Sequence, residues 1–160
     1  MHPNAQLIQA FYTAFQNMDA EGMKKCYHSD IHFSDPVFPD LTGEQVGAMW
    51  FMLMENLKKS KAGWKLEFSN ISASDKEGNA HWEAHYTLST GNRVHNIVEA
   101  SFQFQEGKII HHVDSFDFYR WARMGFGLKG TLLGWMPFFK KKVQTTVKNL
   151  LIKYMDRVRS

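Results

Sequence analysis

The chain has 160 residues, 44% apolar and 14% aromatic, a globular composition that gives no indication of disorder and fits one folded domain. A single cysteine, Cys26, excludes an internal disulfide framework and favours a reducing compartment, so we expect a cytoplasmic protein. The net charge of +3 hides an asymmetry, because residues 1–119 hold nine Lys and Arg against fifteen Asp and Glu, whereas residues 120–160 hold ten against one.

The first sixty residues predict three helices and one short strand. Residues 5–17 and 43–59 place apolar side chains at helical spacing, and a shorter helix over about 20–28 is predicted between them. The segment IHFSDPVFPD, which precedes the third helix, is typical of a short strand interrupted by prolines.

The middle of the chain predicts four strands. They cover residues 64–74, 80–90, 93–105 and 108–119, where β-branched and aromatic residues are frequent. The connections contain short turn-forming sequences that suit tight antiparallel turns, namely Glu77-Gly78-Asn79, Gly91-Asn92 and Glu106-Gly107.

The last forty residues predict helices again. Residues 120–136 are apolar and interrupted by glycines, and Pro137 stands where a last helix should begin. This helix carries an apolar stripe, and most of its Lys and Arg lie off the stripe. We favour a helix that is docked, either across the mouth of a pocket as a lid or on a partner subunit. A contact with a membrane surface is the weaker alternative.

Helices and strands occupy separate blocks of the chain, which is typical of an α+β domain with an antiparallel sheet. Three N-terminal helices against one face of a strongly curved sheet would form a cone (a cystatin-like roll) with a pocket inside, a common kind of small-molecule site. We therefore expect a cone domain over residues 1–120. A basic, amphipathic helical extension over residues 121–160 is expected to pack on the same domain.

One long run is similar to a known family. The segment FYTAFQNMDAEGMKKCYHSDIHFSDPVFPDLTGEQV, followed by strands that end in GKIIHHVDSFDFYRW, resembles the SnoaL-like group of the nuclear transport factor 2-like superfamily. The resemblance covers about residues 5–120. Relatives in that superfamily include ketosteroid isomerases, limonene epoxide hydrolases and polyketide cyclases, and because enzymes and non-enzymes share the fold, the resemblance implies the fold more strongly than a reaction.

Two aspartates match catalytic positions of these relatives. Asp35, in FSDPVFP, resembles the proton-shuttling aspartate of the isomerases, a position at which the epoxide hydrolases have an asparagine. Asp114, in VDSFD, resembles the activating aspartate in the last strand of the hydrolases, and the polyketide cyclases also use an aspartate for acid–base work. The resemblance implies that Asp114 points into the pocket and that Asp35 lies at it.

The oxyanion donors of the isomerases have no counterpart in this sequence. Phe11 stands at the position of their tyrosine, with Tyr12 next to it facing another way, and Ala100 stands at the position of their acidic donor. Glu99 is adjacent to Ala100, but neighbouring residues of a strand point to opposite faces. The hydrolases' Arg-x-Asp pair lacks a faithful counterpart as well. We therefore predict no steroid isomerisation.

The strand IIHHVDSFDFY carries four ionisable groups, which alternation divides between two faces. One face is predicted to hold Ile110, His112, Asp114 and Phe116, and the other His111, Val113, Ser115 and Asp117. Our hypothesis is that Asp114 is a general base assisted by His112, with Asp35 as a further catalytic candidate. The alternative is that the first two only line a pocket and that Asp35 only caps a turn.

Several residues are candidates for contact with a substrate. They are Tyr12, Phe11, Phe33, Trp50, Met54, Glu83, His85, Ala100, Phe102 and Phe116. Core packing is the alternative for the aromatic and Met side chains. His81, Glu83 and His85 are metal-ligating types, but they extend over about 13 Å along one strand and cannot hold one ion by themselves. We expect no metal and no organic cofactor.

The opposite face of the predicted strand over residues 80–90 suggests a partner. It carries Trp82 and Tyr86, and exposed aromatic side chains on a sheet need covering, so this face is a candidate homodimer interface. The resemblance implies a homodimer as well. We expect a small apolar molecule as ligand and no nucleic acid, because single-strand binding needs aromatic and basic groups interleaved on an exposed sheet face.

Two functions remain open on this basis. The first is a small-molecule enzyme of the SnoaL-like type that uses acid–base chemistry, as an isomerase, epoxide hydrolase or cyclase, on an apolar, oxygen-bearing substrate in an enclosed pocket. The second is a non-catalytic binding protein for an apolar ligand or a protein partner. The enzyme requires Asp35, Asp114 and either His112 or His85 to surround one cavity, whereas the binder needs only the cavity.

Overall fold

The computed structural model describes residues 1–60 and 63–160. The helices are α1 (Pro3–Gln16), α2 (Ala20–Lys25), α3 (Glu44–Lys59), α4 (Phe118–Leu133) and α5 (Pro137–Arg159). The strands are β1 (Tyr27–Ser34), β2 (Leu41–Thr42), β3 (Lys65–Ala73), β4 (Glu77–Thr87), β5 (Arg93–Gln105) and β6 (Lys108–Ser115). The predicted α+β class with an added C-terminal helix is confirmed.

The six strands form one curved sheet in the order β2-β1-β6-β5-β4-β3. Every neighbouring pair is antiparallel except β1 and β6, which run parallel. The expectation of a purely antiparallel sheet is therefore wrong, and the sheet is mixed. Tight turns fix the direction of β3 to β6, whereas β1 is separated from β6 by β2, α3 and three further strands, and no hairpin joins the two.

The N-terminal helices fill the concave side of this sheet. The apolar faces of α1 and α3 are buried against it, with Ile8, Phe11 and Phe15 from α1 and Met49 and Trp50 from α3 in one core cluster. Pro3 occupies the first turn of α1, where a missing N–H costs nothing. The helical spacing of apolar residues in the sequence thus predicts the side that becomes the core.

Two boundaries differ from the predicted ones for local reasons. Glu77, Gly78 and Asn79 lie in β4 rather than in a turn, because the turn is made one step earlier by Ser74, whose hydroxyl accepts the N–H groups of Lys76 and Glu77. At the other end, β6 stops at Ser115.

The early end of β6 is set by the start of the next helix. The side chain of Asp117 accepts the backbone N–H of Arg120 and caps α4, so the predicted extension of the strand to residue 119 is wrong. Similarly, the second helix ends at Lys25 instead of about residue 28, and Tyr27 opens β1. The position of Tyr27 at the start of β1 matters for the candidate active site.

The two C-terminal helices lie over the sheet and α3. Helix α4 contacts β5 and bends at Gly127, whose positive φ of 58° interrupts the helix. Helix α5 packs on α3, where Arg157 reaches Glu55 at 2.9 Å, and Gln144 donates to the carbonyl of Pro36. No helix among the described residues is long and apolar enough to cross a membrane.

A second apolar cluster joins these helices to the sheet domain. Its buried members are Val37, Val94, Phe118, Trp121, Ala122, Phe139 and Val143. Because Val37 precedes α3 and Val94 belongs to β5, the cluster closes the side of the cone that α1 to α3 leave open.

Candidate active site

The last strand turns His112 and Asp114 into the interior, where they are only 1% and 3% exposed. Asp114 stands opposite Ala100 in the register with β5, and His112 stands opposite Phe102. The predicted alternation holds from His112 onward. It fails at the start of the strand, where an irregularity between β5 and β6 buries Ile109 instead of Ile110.

A chain of hydrogen bonds orients His112. The indole N–H of Trp50 donates to the hydroxyl of Tyr27 at 3.0 Å, and this hydroxyl lies 2.8 Å from Nδ1 of His112. Nε2 of His112 lies 2.9 Å from Oδ1 of Asp114. Every group is satisfied when the Tyr27 hydroxyl donates to Nδ1 and the imidazole carries its proton on Nε2, which donates to the carboxylate.

Asp114 has a second donor and an unusual neighbour. The indole N–H of Trp82 approaches the same oxygen, Oδ1, at 3.3 Å. Tyr12 is fully buried, and its hydroxyl has no hydrogen-bond partner in the part of the chain that the structure describes. Burial first, and then the negative charge of Asp114, raise the pKa of Tyr12 well above its usual value. A buried hydroxyl without a partner is uncommon in folded proteins and calls for an explanation.

Asp35 lies in the loop that follows β1, where it accepts hydrogen bonds from the loop and has a raised pKa. Its Oδ1 accepts the backbone N–H groups of Val37 and Phe38 at 2.7 and 2.6 Å, so it caps the loop as one alternative predicted. Burial raises the pKa of Asp35 to about 7, and the charge of Asp114 adds to this effect. The two backbone hydrogen bonds act in the opposite direction and are too weak to cancel it.

Tyr86 connects this region to the C-terminal helices. Its hydroxyl accepts the indole N–H of Trp121 at 3.0 Å. Burial, with a smaller contribution from the charge of Asp35, raises the pKa of Tyr86 to about 12. The charge of Asp114 therefore acts on Asp35 and Tyr12, and the charge of Asp35 acts on Tyr86, through a poorly solvated interior.

Most predicted substrate contacts surround this centre. Phe11, Phe33 and Phe102 pack their rings against His112, with centroids between 4.6 and 5.4 Å. The remaining interior candidates are Tyr12, Trp50, Met54 and Ala100, which are buried in the main core, and Phe116, which is half-buried against Trp121. These eight side chains make the surroundings of the carboxyl groups apolar.

The predicted placement of Glu83 and His85 inside the cone is wrong. The structure turns Trp82 and Tyr86 of β4 inward and leaves Glu83 and His85 on the outer face of the sheet. The apolar residues of an alternating strand face the core, so Trp82 cannot belong to an open interface. The predicted homodimer stays a prediction, and the interface proposed for it is withdrawn.

The outer face carries its own network of ionisable groups. His81 binds Glu83 at 2.9 Å and Glu99 at 2.5 Å, and His95 binds Glu83 at 2.7 Å. Hydrogen bonds from His81 and then His95 lower the pKa of Glu83, and the two glutamates raise the pKa of His81. Within residues 1–60 and 63–160, no group of three or more His, Cys, Asp and Glu side chains is placed to hold a metal ion.

Four residues of the site were missed in the sequence: Tyr27, Trp82, Tyr86 and Trp121. The alternation of Trp82, Ala84 and Tyr86 with polar residues was a usable signal for the inward face. Tyr27 and Trp121 offered none, because each reaches the site through a contact with a distant part of the chain.

The arrangement is suited to moving protons. Burial raises the pKa of one carboxyl group, Asp35, to about 7, and a second, Asp114, is oriented by an imidazole inside an apolar shell. The two concavities described lie elsewhere: one of about 600 Å³ on the outer face near the β3–β4 turn, and one of about 370 Å³ between α3 and α5.

Comparisons with known proteins agree with this fold. An NTF2-like protein of unknown function from Burkholderia pseudomallei is 18% identical, with a TM-score of 0.65 over 78% of this chain and 98% of that one. An LEH-like epoxide hydrolase from M. tuberculosis is 20% identical, with a TM-score of 0.61 over 82% and 96%. A putative polyketide cyclase from Xanthomonas campestris is 18% identical, with a TM-score of 0.60 over 76% and 96%.

These likenesses show the fold, which is NTF2-like, and about a fifth of this chain has no counterpart in those structures. No curated protein matches the sequence. The sequence model described as "SnoaL-like domain" matches residues 8–112, which is well over half of the chain. The chain belongs to the SnoaL-like domain family.

Proposed function

We propose that the protein is an enzyme that uses acid–base chemistry on an apolar, oxygen-bearing small molecule. The observation that carries this proposal is the pair of carboxyl groups Asp35 and Asp114: Asp114 is buried and held by His112 and Trp82, and its charge contributes to raising the pKa of Asp35. A pair of acids whose surroundings push their protonation states apart supplies both a proton donor and a proton acceptor at the same pH.

The roles follow from the contacts of each group. Asp114 is the base, because two N–H donors, from His112 and Trp82, hold one of its oxygens and stabilise the carboxylate. Asp35 is the acid, since a pKa of about 7 leaves it about half protonated at pH 7 and largely protonated below that pH. His112 positions Asp114 through its oriented ring.

The substrate class follows from what lines the centre. The rings of Phe11, Phe33 and Phe102 offer apolar surface, and Tyr12 offers an unused hydroxyl for a substrate oxygen. Isomerisation, epoxide hydrolysis and ring closure are all consistent with this set. In the hydrolysis, Asp114 would take a proton from a water molecule while the water oxygen attacks an epoxide carbon. The bond from this carbon to the epoxide oxygen would break, and Asp35 would protonate that oxygen.

The entry route belongs to the same proposal. The two described concavities lie outside the cone, and we place the entry beside Tyr86 and Trp121, where the second apolar cluster covers the interior. This requires α4 to move away from the sheet during binding.

The test is a panel of apolar epoxides, enones and polyketide-like ketones, incubated with the protein in ¹⁸O-labelled water and followed by mass spectrometry. We expect turnover that falls by about 10²–10⁴-fold in Asp114→Asn, as for loss of a general base. The control is Asp40→Asn, an exposed aspartate of the same loop. Label in the product identifies hydrolysis, and an isomeric product without label identifies isomerisation or ring closure.

The rival is a non-catalytic binding protein on the same fold. Ligand binding to wild type, without turnover of any member of the panel, would favour it, as would turnover that Asp114→Asn leaves unchanged.

A further inference from the structure

The corner between α4 and α5 exposes four large apolar side chains. They are Leu128, Leu132, Trp135 and Phe138, which we call the corner patch, and the exposed fraction is 75% for Leu128 and 68% for Trp135. Elsewhere the bulky apolar residues of α4, such as Phe118 and Trp121, are buried in the second cluster. Four exposed members within eleven residues are an unusual concentration on a protein surface.

The members of the patch are neighbours in space. Leu128 and Leu132 are four residues apart on α4, so they lie on one side of the helix. The indole N–H of Trp135 donates to the carbonyl of Leu132 at 3.0 Å, which holds the ring next to that leucine. Phe138 follows in the first turn of α5.

The surroundings of the patch are basic. Lys129, Lys141 and Lys142 are exposed beside it, and between Asp117 and Asp156 the sequence holds no acidic residue at all. Arg123 and Lys140 lie over the rings of Tyr119 and Phe118. The rest of the chain, residues 1–119, is net acidic, so the positive charge is concentrated on the part that carries the patch.

We propose that the corner patch docks the protein on the surface of an anionic lipid membrane. The leucine and phenylalanine side chains of the patch enter the acyl region of the lipids. The indole of Trp135, whose N–H is already hydrogen-bonded, lies at the boundary between the acyl chains and the headgroups, and the lysines contact the lipid phosphates. The binding is peripheral.

Charge and chemistry favour lipid over the other occupants. Two copies that paired through this corner would bring Lys129, Lys141 and Lys142 together with no acidic partner between residues 118 and 155. Nucleic acid would leave Leu128 and Leu132 without a suitable contact, since aliphatic side chains do not stack on bases.

The test is co-sedimentation of the full chain with vesicles of phosphatidylcholine alone or with 30% phosphatidylglycerol. We expect binding to the mixed vesicles that weakens as salt is raised. Trp135 is the exposed tryptophan, whereas Trp50, Trp82 and Trp121 are buried, so the fluorescence should shift to shorter wavelength on binding. The shift should be absent in Trp135→Ser.

Two variant pairs separate the apolar and electrostatic contributions. Leu132→Ser with Trp135→Ser, and Lys141→Glu with Lys142→Glu, should each weaken vesicle binding about tenfold or more. Ile97→Ser, on an exposed sheet residue, and Lys58→Glu with Lys76→Glu, on exposed lysines elsewhere, should leave it within about twofold.

Three results would overturn the proposal. They are the absence of binding to either kind of vesicle, equal binding to neutral and anionic vesicles, and equal losses in the corner and control variants. A dimeric mass without vesicles that becomes monomeric in Leu132→Ser with Trp135→Ser would assign the patch to a second copy instead.

Discussion

Asp114 depends on the residues that hold His112 in place. Tyr27 is the key contact, because its hydroxyl both accepts from Trp50 and donates to the imidazole. Period-two alternation predicted that His112 and Asp114 face inward together. It gave no sign of Tyr27 or of the unpartnered Tyr12 hydroxyl, because such contacts join residues far apart in the chain and depend on how helices seat on the sheet.

Removing the Tyr27 hydroxyl tests this arrangement. Tyr27→Phe leaves the Trp50 N–H without its acceptor and Nδ1 of His112 without its donor, so we expect a loss of about 1–3 kcal/mol in the free energy of unfolding. Urea denaturation measures it. In Tyr119→Phe, the hydroxyl lost is exposed and donates to Thr131, and the loss should be clearly smaller. Equal losses would argue against a special role for Tyr27.

Asp35 makes stability depend on pH in a definite direction. Its folded-state pKa of about 7 lies above that of the unfolded chain, so its contribution is present below about pH 4 and is lost as pH rises toward 7. Asp35→Asn keeps a carbonyl oxygen for the loop N–H groups and removes the titration. The free energy of unfolding of Asp35→Asn minus that of wild type should rise by about 1–3 kcal/mol from pH 4 to pH 8, as measured by urea unfolding.

The comparison is the same difference measured for Asp40→Asn, where a shift of less than about 0.5 kcal/mol is expected because the side chain is exposed. If Asp35→Asn shows no gain at high pH, the carboxyl group of Asp35 is not held protonated by the fold.

At the scale of the elements, sequence periodicity predicted α1, α3 and the four consecutive strands but not all of their boundaries or faces. The prediction of which face of β4 points inward was wrong, because His81, Glu83 and His85 suggested a polar pocket. Burial of Trp82 and Tyr86 decides the orientation. The parallel pairing of β1 with β6 was also missed, since it involves strands that no short turn connects.

Helix α4 shows a constraint that only the structure reveals. The helix bends at Gly127 and brings Gly130 so close to the carbonyl of Ala122 that a side chain at residue 130 would overlap it. Gly130→Ala should cost at least about 2 kcal/mol, since backbone atoms must shift. Thermal unfolding measures the change.

A matched glycine lies in α3. At Gly47 a methyl group would meet only the flexible side chain of Lys24, so Gly47→Ala should be neutral or stabilise by up to about 1 kcal/mol through helix propensity. Comparable destabilisation in both variants would mean that the tight approach at Gly130 is absent.

For the whole molecule, we predict that the C-terminal helices and the cone unfold as one unit. Leu151 of α5 is fully buried in the main core cluster, while its neighbour Leu150 is 52% exposed. Leu151→Ala should lower the free energy of unfolding by about 2–5 kcal/mol, and Leu150→Ala by less than about 0.5 kcal/mol. Denaturation followed by far-UV circular dichroism and by tryptophan fluorescence should give one shared transition.

An early loss of helix signal in wild type, before the tryptophan transition, would instead show that α5 unfolds independently. The charge asymmetry along the sequence indicated that residues 120–160 are distinct in composition. It did not predict where α5 packs, because the ion pair of Arg157 with Glu55 and the hydrogen bond of Gln144 to Pro36 join it to distant residues.

The central claim is that Asp35 and Asp114 form an acid–base pair inside the cone. It is tested most directly by a ¹³C NMR titration of the aspartate carboxyl groups, with no substrate needed. Asp35 should titrate with a pKa of about 7 in wild type, and that pKa should fall in Asp114→Asn because the neighbouring negative charge is gone. An Asp35 pKa near the ordinary value of about 3.9, or one unchanged by Asp114→Asn, would contradict the account.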